Sequence, residues 1–356
     1  MSTKNLVGTE MATQEYQRPQ VSQAILNSSN ETLSEDDLFN KAFSFHGKNE
    51  ATKAQAALDA FVERFPESGK LAKVKLQHAY WTFEVSPDQE AINEFESIKR
   101  DYPDKKEAGE ASLRLGYIRL RNNDPDSAMA EFESVAKGNV TASDEVRLES
   151  MFRCAKIYHA RKDRVKALQA WRECADVTDR ASFDHDVHLE IAGLYMELAR
   201  SGAGSLDDCI AECDEVISHP AGSDRCYATA LQMKAESFHL KNDFQTAIAI
   251  EKELLEKYPD QKQMAMLARF FMGLSYYKLE DPWNSLKSME NVQNEFTDSN
   301  NLPGNDLRFS SRLYQAQALL KMEKRPEAKA ILKEIINEKP YSKEASNAQK
   351  LLDVLQ

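Results

Sequence analysis

Pairs of small residues 12 positions apart recur along this chain every 37 to 43 residues. Each pair lies in two neighbouring segments whose apolar residues follow helical spacing, and residues 110–140 are a clear example. Because small side chains let two helix axes approach to about 8–10 Å, each pair predicts the crossing point of a helical hairpin. The pairs are Ala42/Ala54, Ala79/Ala91, Gly116/Ala128, Ala155/Ala167, Ala235/Ala247, Gly273/Ser285 and Ala316/Ala328, with one more widely spaced copy, Gly193/Cys209.

Proline positions fit this register and favour an all-helical chain. Five prolines fall between the predicted hairpins, at residues 66, 103, 220, 259 and 340. Four more fall at the predicted start of a second helix, where a proline costs no hydrogen bond, at residues 87, 125, 282 and 326. Strand-like alternation is absent from the sequence, so we predict an all-α fold of stacked hairpins rather than one compact domain.

The second half of each unit carries a further signature. A small residue is followed four positions later by a large apolar one, then by another apolar residue and a closing proline, as in Ala91, Phe95, Ile98 and Pro103. This pattern resembles the tetratricopeptide repeat (TPR). The resemblance implies a right-handed α-solenoid, or superhelix, of about eight TPR-like helical hairpins. The pattern is broken at Glu251, which stands where the large apolar residue is expected.

The resemblance covers residues 34–341 and sets the predicted boundaries. Residues 1–33 are polar and predict a disordered N-terminal tail, although the apolar cluster at residues 21–26 could instead fold back onto the protein. Residues 342–356 predict a C-terminal capping helix, and residues 297–306 an irregular connection. The repeats themselves are predicted at 34–68, 69–105, 106–141, 142–181, 182–222, 223–261, 262–304 and 305–341.

The search for chemistry finds little. The chain has no glycine-rich phosphate loop, no nucleophile elbow and no paired-cysteine zinc spacing, so we predict no enzyme activity, no cofactor and no metal. Asp184, His185, Asp186 and His188 form the one metal-like cluster, but acids at a helix start are ordinary complements of the helix dipole. The five cysteines have an odd count and no regular framework, which predicts reduced thiols.

Charge and hydropathy limit the chemical class of the partner and the cellular location. A formal net charge of −12 argues against direct nucleic-acid binding and favours a basic or neutral protein partner. No stretch is apolar enough for membrane insertion, and the start of the chain lacks a signal-peptide pattern, so we predict a cytoplasmic protein. The oligomeric state is left open by the sequence.

A narrower resemblance suggests an alternative. The junctions at residues 65–67, 102–104 and 258–260 read aromatic, proline, acid, and they look like junctions of bacterial cell-envelope TPR proteins. That resemblance implies a periplasmic or outer-membrane envelope assembly component, periplasmic if a signal peptide is missing from this chain.

In the resembling family, ligands contact the concave face formed by first helices. The contacts come from the position three before the small residue and the position one after it. The resemblance therefore implies a non-enzymatic protein–protein interaction scaffold that docks a partner segment there. The alternative for these apolar positions is packing between helices. The implied groove residues in the first four repeats are Phe39, Phe43, Leu76, Tyr80, Leu113, Tyr117, Phe152 and Lys156.

One variety of the family is excluded by the same positions. TPR proteins that bind the charged carboxyl end of chaperones carry a lysine and an asparagine at the two contact positions of the first repeat. Phe39 and Phe43 stand there in this chain. Arg114 and Arg153 lie where that clamp also places basic residues, but they form only half of it, so we do not predict this specific function.

Overall fold

A computed structural model describes residues 24, 33–85, 88–181, 184–220, 222–294 and 305–355, and in these residues the chain forms seventeen helices and no strand. The helices are α1 (Glu35–His46), α2 (Ala51–Arg64), α3 (Leu71–Val85), α4 (Asp88–Asp101), α5 (Lys106–Arg121), α6 (Pro125–Ala136), α7 (Asp144–Ala160), α8 (Arg164–Ala181), α9 (His185–Arg200), α10 (Leu206–Ser218), α11 (Asp224–Leu240), α12 (Phe244–Lys257), α13 (Lys262–Lys278), α14 (Pro282–Asn294), α15 (Asn305–Lys321), α16 (Arg325–Glu338) and α17 (Lys343–Val354). The predicted tail, with its cluster at residues 21–26, lies almost wholly outside the described residues. Most of the connection at 297–306 also lies outside them, but α15 begins at Asn305, so the prediction that Asn305 and Asp306 are irregular is wrong.

The chain divides into two compact units, residues 1–170 and 171–356. Odd-numbered helices up to α15 are the first helices of the pairs, and even-numbered helices are the second helices. In the first unit, α3 contacts α5 and α5 contacts α7; in the second, α9, α11, α13 and α15 contact one another in sequence. Within each unit, successive first helices therefore lie side by side, and we call the surface that they form the first-helix face of that unit.

The small-residue pairs lie where helices pack closely. Ala42 and Ala54 are fully buried, and so are the apolar residues Phe95 and Ile98 of the second-helix signature. A Cβ atom added to Gly116 would lie 2.4 Å from Cε1 of Phe132, so the α5/α6 crossing has no room for a larger residue. This tight packing confirms the helical-repeat reading of the sequence.

Helix starts follow the expected local chemistry. Ser34 accepts a hydrogen bond from the Asp37 backbone N–H, and the Asp37 carboxylate accepts one from the Ser34 backbone N–H at 3.0 Å, which together make a capping box at α1. Asp124 caps α6 in front of Pro125, which occupies the first helical turn. The predicted helix start at Pro125 is therefore confirmed.

The turn between first and second helices has a conformation that the sequence did not reveal. In six pairs, one residue near the end of the first helix adopts a left-handed backbone with φ between 58° and 63°. Asparagine tolerates this conformation well, whereas other side chains crowd the backbone there. The six residues are Asn49, Asn123, Lys162, Asn242, Glu280 and Glu323.

We expect Lys162→Asn to raise the free energy of unfolding by about 1 kcal/mol, because asparagine relieves the strain of a left-handed lysine. Urea unfolding of the full chain followed by circular dichroism checks the change as a higher midpoint. Lys162→Arg is the matched control and leaves the midpoint unchanged, since arginine has the same backbone restriction. Equal midpoints for the asparagine and arginine variants would contradict the assignment of strain to this residue.

Candidate functional site

The eight groove residues implied by the family resemblance differ in accessibility. Phe43 is 42% exposed and Lys156 is exposed, while the aromatic residues at 39, 80, 117 and 152 are partly buried. Leu76 and Leu113 are only 5% and 7% exposed. They belong to the apolar cores where α3 and α5 pack against their neighbours, so they do not line an accessible surface.

Aromatic rings cluster at the start of the first-helix face of the first unit. The Phe43 ring lies 5.0 Å from Phe39 and 5.3 Å from Trp81, measured between ring centroids. His46 stacks on Trp81 at 4.6 Å, and Lys73 places its ammonium group 5.1 Å from the centre of the Phe39 ring. We call these five side chains the aromatic patch; its most exposed ring is Phe43, a suitable apolar anchor for a partner.

Tyrosine and arginine alternate along the same face, and we call the four residues Tyr80, Arg114, Tyr117 and Arg153 the tyrosine–arginine ladder. Arg114 lies 4.9 Å from the centre of the Tyr80 ring, and its Nε donates a hydrogen bond of 3.2 Å to the tyrosine hydroxyl. Arg153 lies 4.7 Å from the centre of the Tyr117 ring, and its Nε donates a hydrogen bond of 2.9 Å to the Tyr117 hydroxyl. Each tyrosine therefore holds the arginine of the next first helix, which fixes the guanidinium in place.

The two arginines of the ladder differ in charge compensation. Arg153 forms an ion pair of 2.5 Å with Glu149, which also accepts a hydrogen bond from Tyr117. Burial opposes ionisation of Glu149, but these bonds outweigh it and lower its pKa. Arg114 has no carboxylate within ion-pair distance among the residues that the structure describes. Burial raises the pKa of Tyr80, so its hydroxyl stays neutral beside that arginine.

The local charge of this face is opposite to that of the whole chain. Within the described ranges, Lys73, Arg114 and Lys156 have no ion-pair partner. Two neighbouring acids lack a lysine or arginine partner: Glu110 has no ion pair, and Glu84 pairs only with His46, which is charged only when protonated. Three unpaired cations against these two acids leave a positive excess of one charge. Net charge of the chain could not reveal this excess, because it depends on which charges are paired in the fold.

A second group of aromatic residues lies on the first-helix face of the second unit, outside the first four repeats to which the predicted groove was confined. Phe270 and Tyr277 both lie 6.1 Å from Tyr314, measured between ring centroids. Phe271 lies 5.7 Å from Phe270 and 5.8 Å from His239. Phe271 and Tyr314 lie two positions before the small residues Gly273 and Ala316, and that spacing is the sequence signal that could have found them.

The metal-like cluster has ordinary structural contacts. Asp184 caps α9 by accepting hydrogen bonds from the backbone N–H groups of residues 186 and 187. His188 lies 2.7 Å from Glu212, whereas the ring of His185 packs against His219 and Tyr227. In the described part of the chain, no group of three metal-ligating side chains is placed to hold an ion. None of the five cysteines forms a disulfide bond.

Comparison with known proteins supports a TPR assignment. A family model for the tetratricopeptide repeat matches residues 38–68. No curated protein sequence matches the chain. No helix among the residues described is long and apolar enough to cross a membrane.

Solved structures share the fold at low sequence identity. PilW, a type IV pilus biogenesis factor, is 15% identical with a TM-score of 0.51, covering 68% of this chain and 98% of its own. The C-terminal part of a TPR-containing protein from Cytophaga hutchinsonii is 14% identical with a TM-score of 0.54, covering 77% and 98%. The apo quorum sensor NprR from B. thuringiensis is 13% identical with a TM-score of 0.55, covering 80% of each chain. A tetratricopeptide repeat therefore matches at residues 38–68, and the solved structures show that the chain shares the fold of all-α helical-repeat solenoids.

Proposed function

We propose that the chain is a non-enzymatic protein-binding scaffold, and that an acidic segment of a partner docks on the first-helix face of the first unit. The tetratricopeptide fold supports a protein or peptide partner in general. The observation that carries the finer proposal is the positive excess of Lys73, Arg114 and Lys156 along this face. An acidic segment complements that charge, in contrast to the basic or neutral partner favoured by the net charge of the chain.

The geometry of Arg114 suits a carboxylate of the partner. Its Nε already donates to the Tyr80 hydroxyl, which leaves the terminal N–H groups of the guanidinium for an incoming acceptor. Hydrogen bonds between guanidinium and carboxylate are about twice as strong as neutral ones. Because Tyr80 already holds the arginine, little side-chain freedom is lost on binding. Phe43, exposed at the start of the face, would bury an apolar side chain of the same segment.

Selection of a random-peptide library displayed on phage, with the full chain as bait, tests this proposal. We expect the selected peptides to be rich in aspartate and glutamate. Their affinity should fall about tenfold or more for the Arg114→Gln/Lys156→Gln variant, since each lost ion pair of about 1.4 kcal/mol corresponds to a factor of ten. Circular dichroism verifies that this variant is folded.

The control variant Lys329→Gln/Lys333→Gln removes two positive charges from α16, which belongs to the second unit, and should bind the same peptides as the wild type does. Selection of basic peptides, or equal loss of affinity in both double variants, would contradict the proposed site.

Location is part of the proposal and rests on the sequence. We place the protein in the cytoplasm, and fractionation of cells that produce the untagged chain checks this placement. The envelope role suggested by the aromatic, proline, acid junctions stays a prediction, because PilW shares only the fold with this chain at 15% identity.

A further inference from the structure

Glu251 on α12 is a buried carboxyl group in an apolar position. It is 1% exposed, and neither of its carboxyl oxygens has a hydrogen-bond partner. The corresponding positions of the first three second helices are occupied by Leu58, Phe95 and Phe132, which are fully buried. Glu251 therefore occupies a core site that packs an apolar side chain elsewhere in the chain.

The surroundings of Glu251 disfavour its negative charge. On α11, the acid that faces it is Glu236, which is 8% exposed. Glu236 accepts a hydrogen bond from Gln232 at 3.0 Å and forms an ion pair with the Arg200 guanidinium. The remaining titratable groups near this helix pair form no hydrogen bond to Glu251; they are Lys234 and His239 on α11, Lys252 and Glu253 on α12, and Arg269, Tyr276, Tyr277 and Lys278 on α13.

A carboxyl group in these surroundings keeps its proton. Burial raises the pKa of Glu251 well above its ordinary value, and the charge of Glu236 raises it further. When α12 separates from α11, the carboxyl reaches water and its pKa returns to about 4.3. Between these two pKa values the closed state holds one proton more than the open state, so opening becomes more favourable as pH rises.

We propose that the seating of α12 on α11 is a proton-dependent closure, in which protonated Glu251 allows the two helices to pack and ionised Glu251 releases them. Glu236 lies on the first-helix face, one position after the small residue Ala235. Opening of α12 therefore changes the surface that the second unit offers at this position. The inference rests on α11 and α12 alone and does not depend on the proposed partner.

Amide hydrogen exchange of the full chain, measured by mass spectrometry from about pH 5 to about pH 8 and corrected for intrinsic exchange, tests this closure. Protection of the α12 amides should fall by up to about tenfold per pH unit in this window, because one proton is released on opening. In Glu251→Leu the pH dependence should vanish and protection should increase. Glu251→Gln removes the same titration with a side chain of nearly equal size, so its protection should also be independent of pH.

Glu253→Gln is the matched control, because Glu253 lies on the same helix but pairs with Lys257 at the surface. This variant should keep the pH dependence of the wild type. Protection of α12 that is independent of pH in the wild type would overturn the proposal. An unchanged pH dependence in both Glu251 variants would also overturn it.

Discussion

Replacement of Glu131 by alanine is expected to lower the free energy of unfolding by about 3 kcal/mol, because it breaks a buried ion-pair network. The Glu131 carboxylate on α6 is 7% exposed and joins Lys99 on α4 at 2.5 Å to Arg119 on α5 at 3.0 Å. Loss of the carboxylate leaves two cations, each about three-quarters buried, facing one another. One side chain thus holds three helices of the first unit together.

Glu96→Ala is the matched control, since Glu96 also contacts Arg119 but is 49% exposed and 3.4 Å away. An exposed pair contributes at most about 1 kcal/mol. Urea unfolding of both variants, followed by circular dichroism at 222 nm, compares the two losses. A smaller loss for Glu131→Ala than for Glu96→Ala would mean that burial does not strengthen this network.

Gly116→Ala and Gly193→Ala are expected to change stability in opposite directions, although both glycines occupy the small position of a first helix. An added Cβ at Gly116 would lie 2.4 to 2.9 Å from three ring atoms of the fully buried Phe132. Relief of that overlap requires the ring to move within a packed core, and we expect a net loss of about 2 kcal/mol. At Gly193, the nearest atom of another helix to an added Cβ would be Cε of Met233 at 3.8 Å, an ordinary contact.

Alanine at position 193 should therefore raise the free energy of unfolding by about 1 kcal/mol, the usual advantage of alanine over glycine inside a helix. The free energies of unfolding of the two variants, measured by urea unfolding, should therefore differ by about 3 kcal/mol. Stabilisation by Gly116→Ala would contradict the packing of α5 on α6 described above. Loss of stability in Gly193→Ala would mean that this helix pair also packs tightly at its glycine.

These two glycines show which features of the fold can be predicted from the sequence and which cannot. Period, proline positions and the spacing of small residues are local, so they were sufficient to predict the helical hairpins and the repeat family. The distance between two crossing helices depends on side chains of both helices, so it is not a local property of the sequence. Gly193 lies in the one pair with wider spacing, and its helix pair leaves more room around the glycine. Both glycines are small, so their side chains alone do not distinguish Gly193 from Gly116 in the sequence.

The accessibility of the predicted groove residues could not be read from the sequence for the same reason. Position within the repeat pointed to Phe43 and Lys156, which are exposed, and equally to Leu76 and Leu113, which are buried. Pairing of charges also depends on contacts between repeats. Arg153 has Glu149 one helical turn away, whereas Arg114 contacts Tyr80 across the repeat boundary. The positive excess of the face follows from such contacts and could not be read from composition.

A charge-exchange experiment tests the central claim, that an acidic partner segment docks beside Arg114, most directly. Titration calorimetry measures the affinity of a selected acidic peptide for the wild type and for Arg114→Glu. The same measurement is then made with peptides in which single acids are replaced by lysine. We predict that Arg114→Glu lowers the affinity for the acidic peptide by tenfold or more. One lysine-substituted peptide should bind this variant more tightly than the acidic peptide does. Equal affinity of the acidic peptide for wild type and Arg114→Glu would contradict the claim.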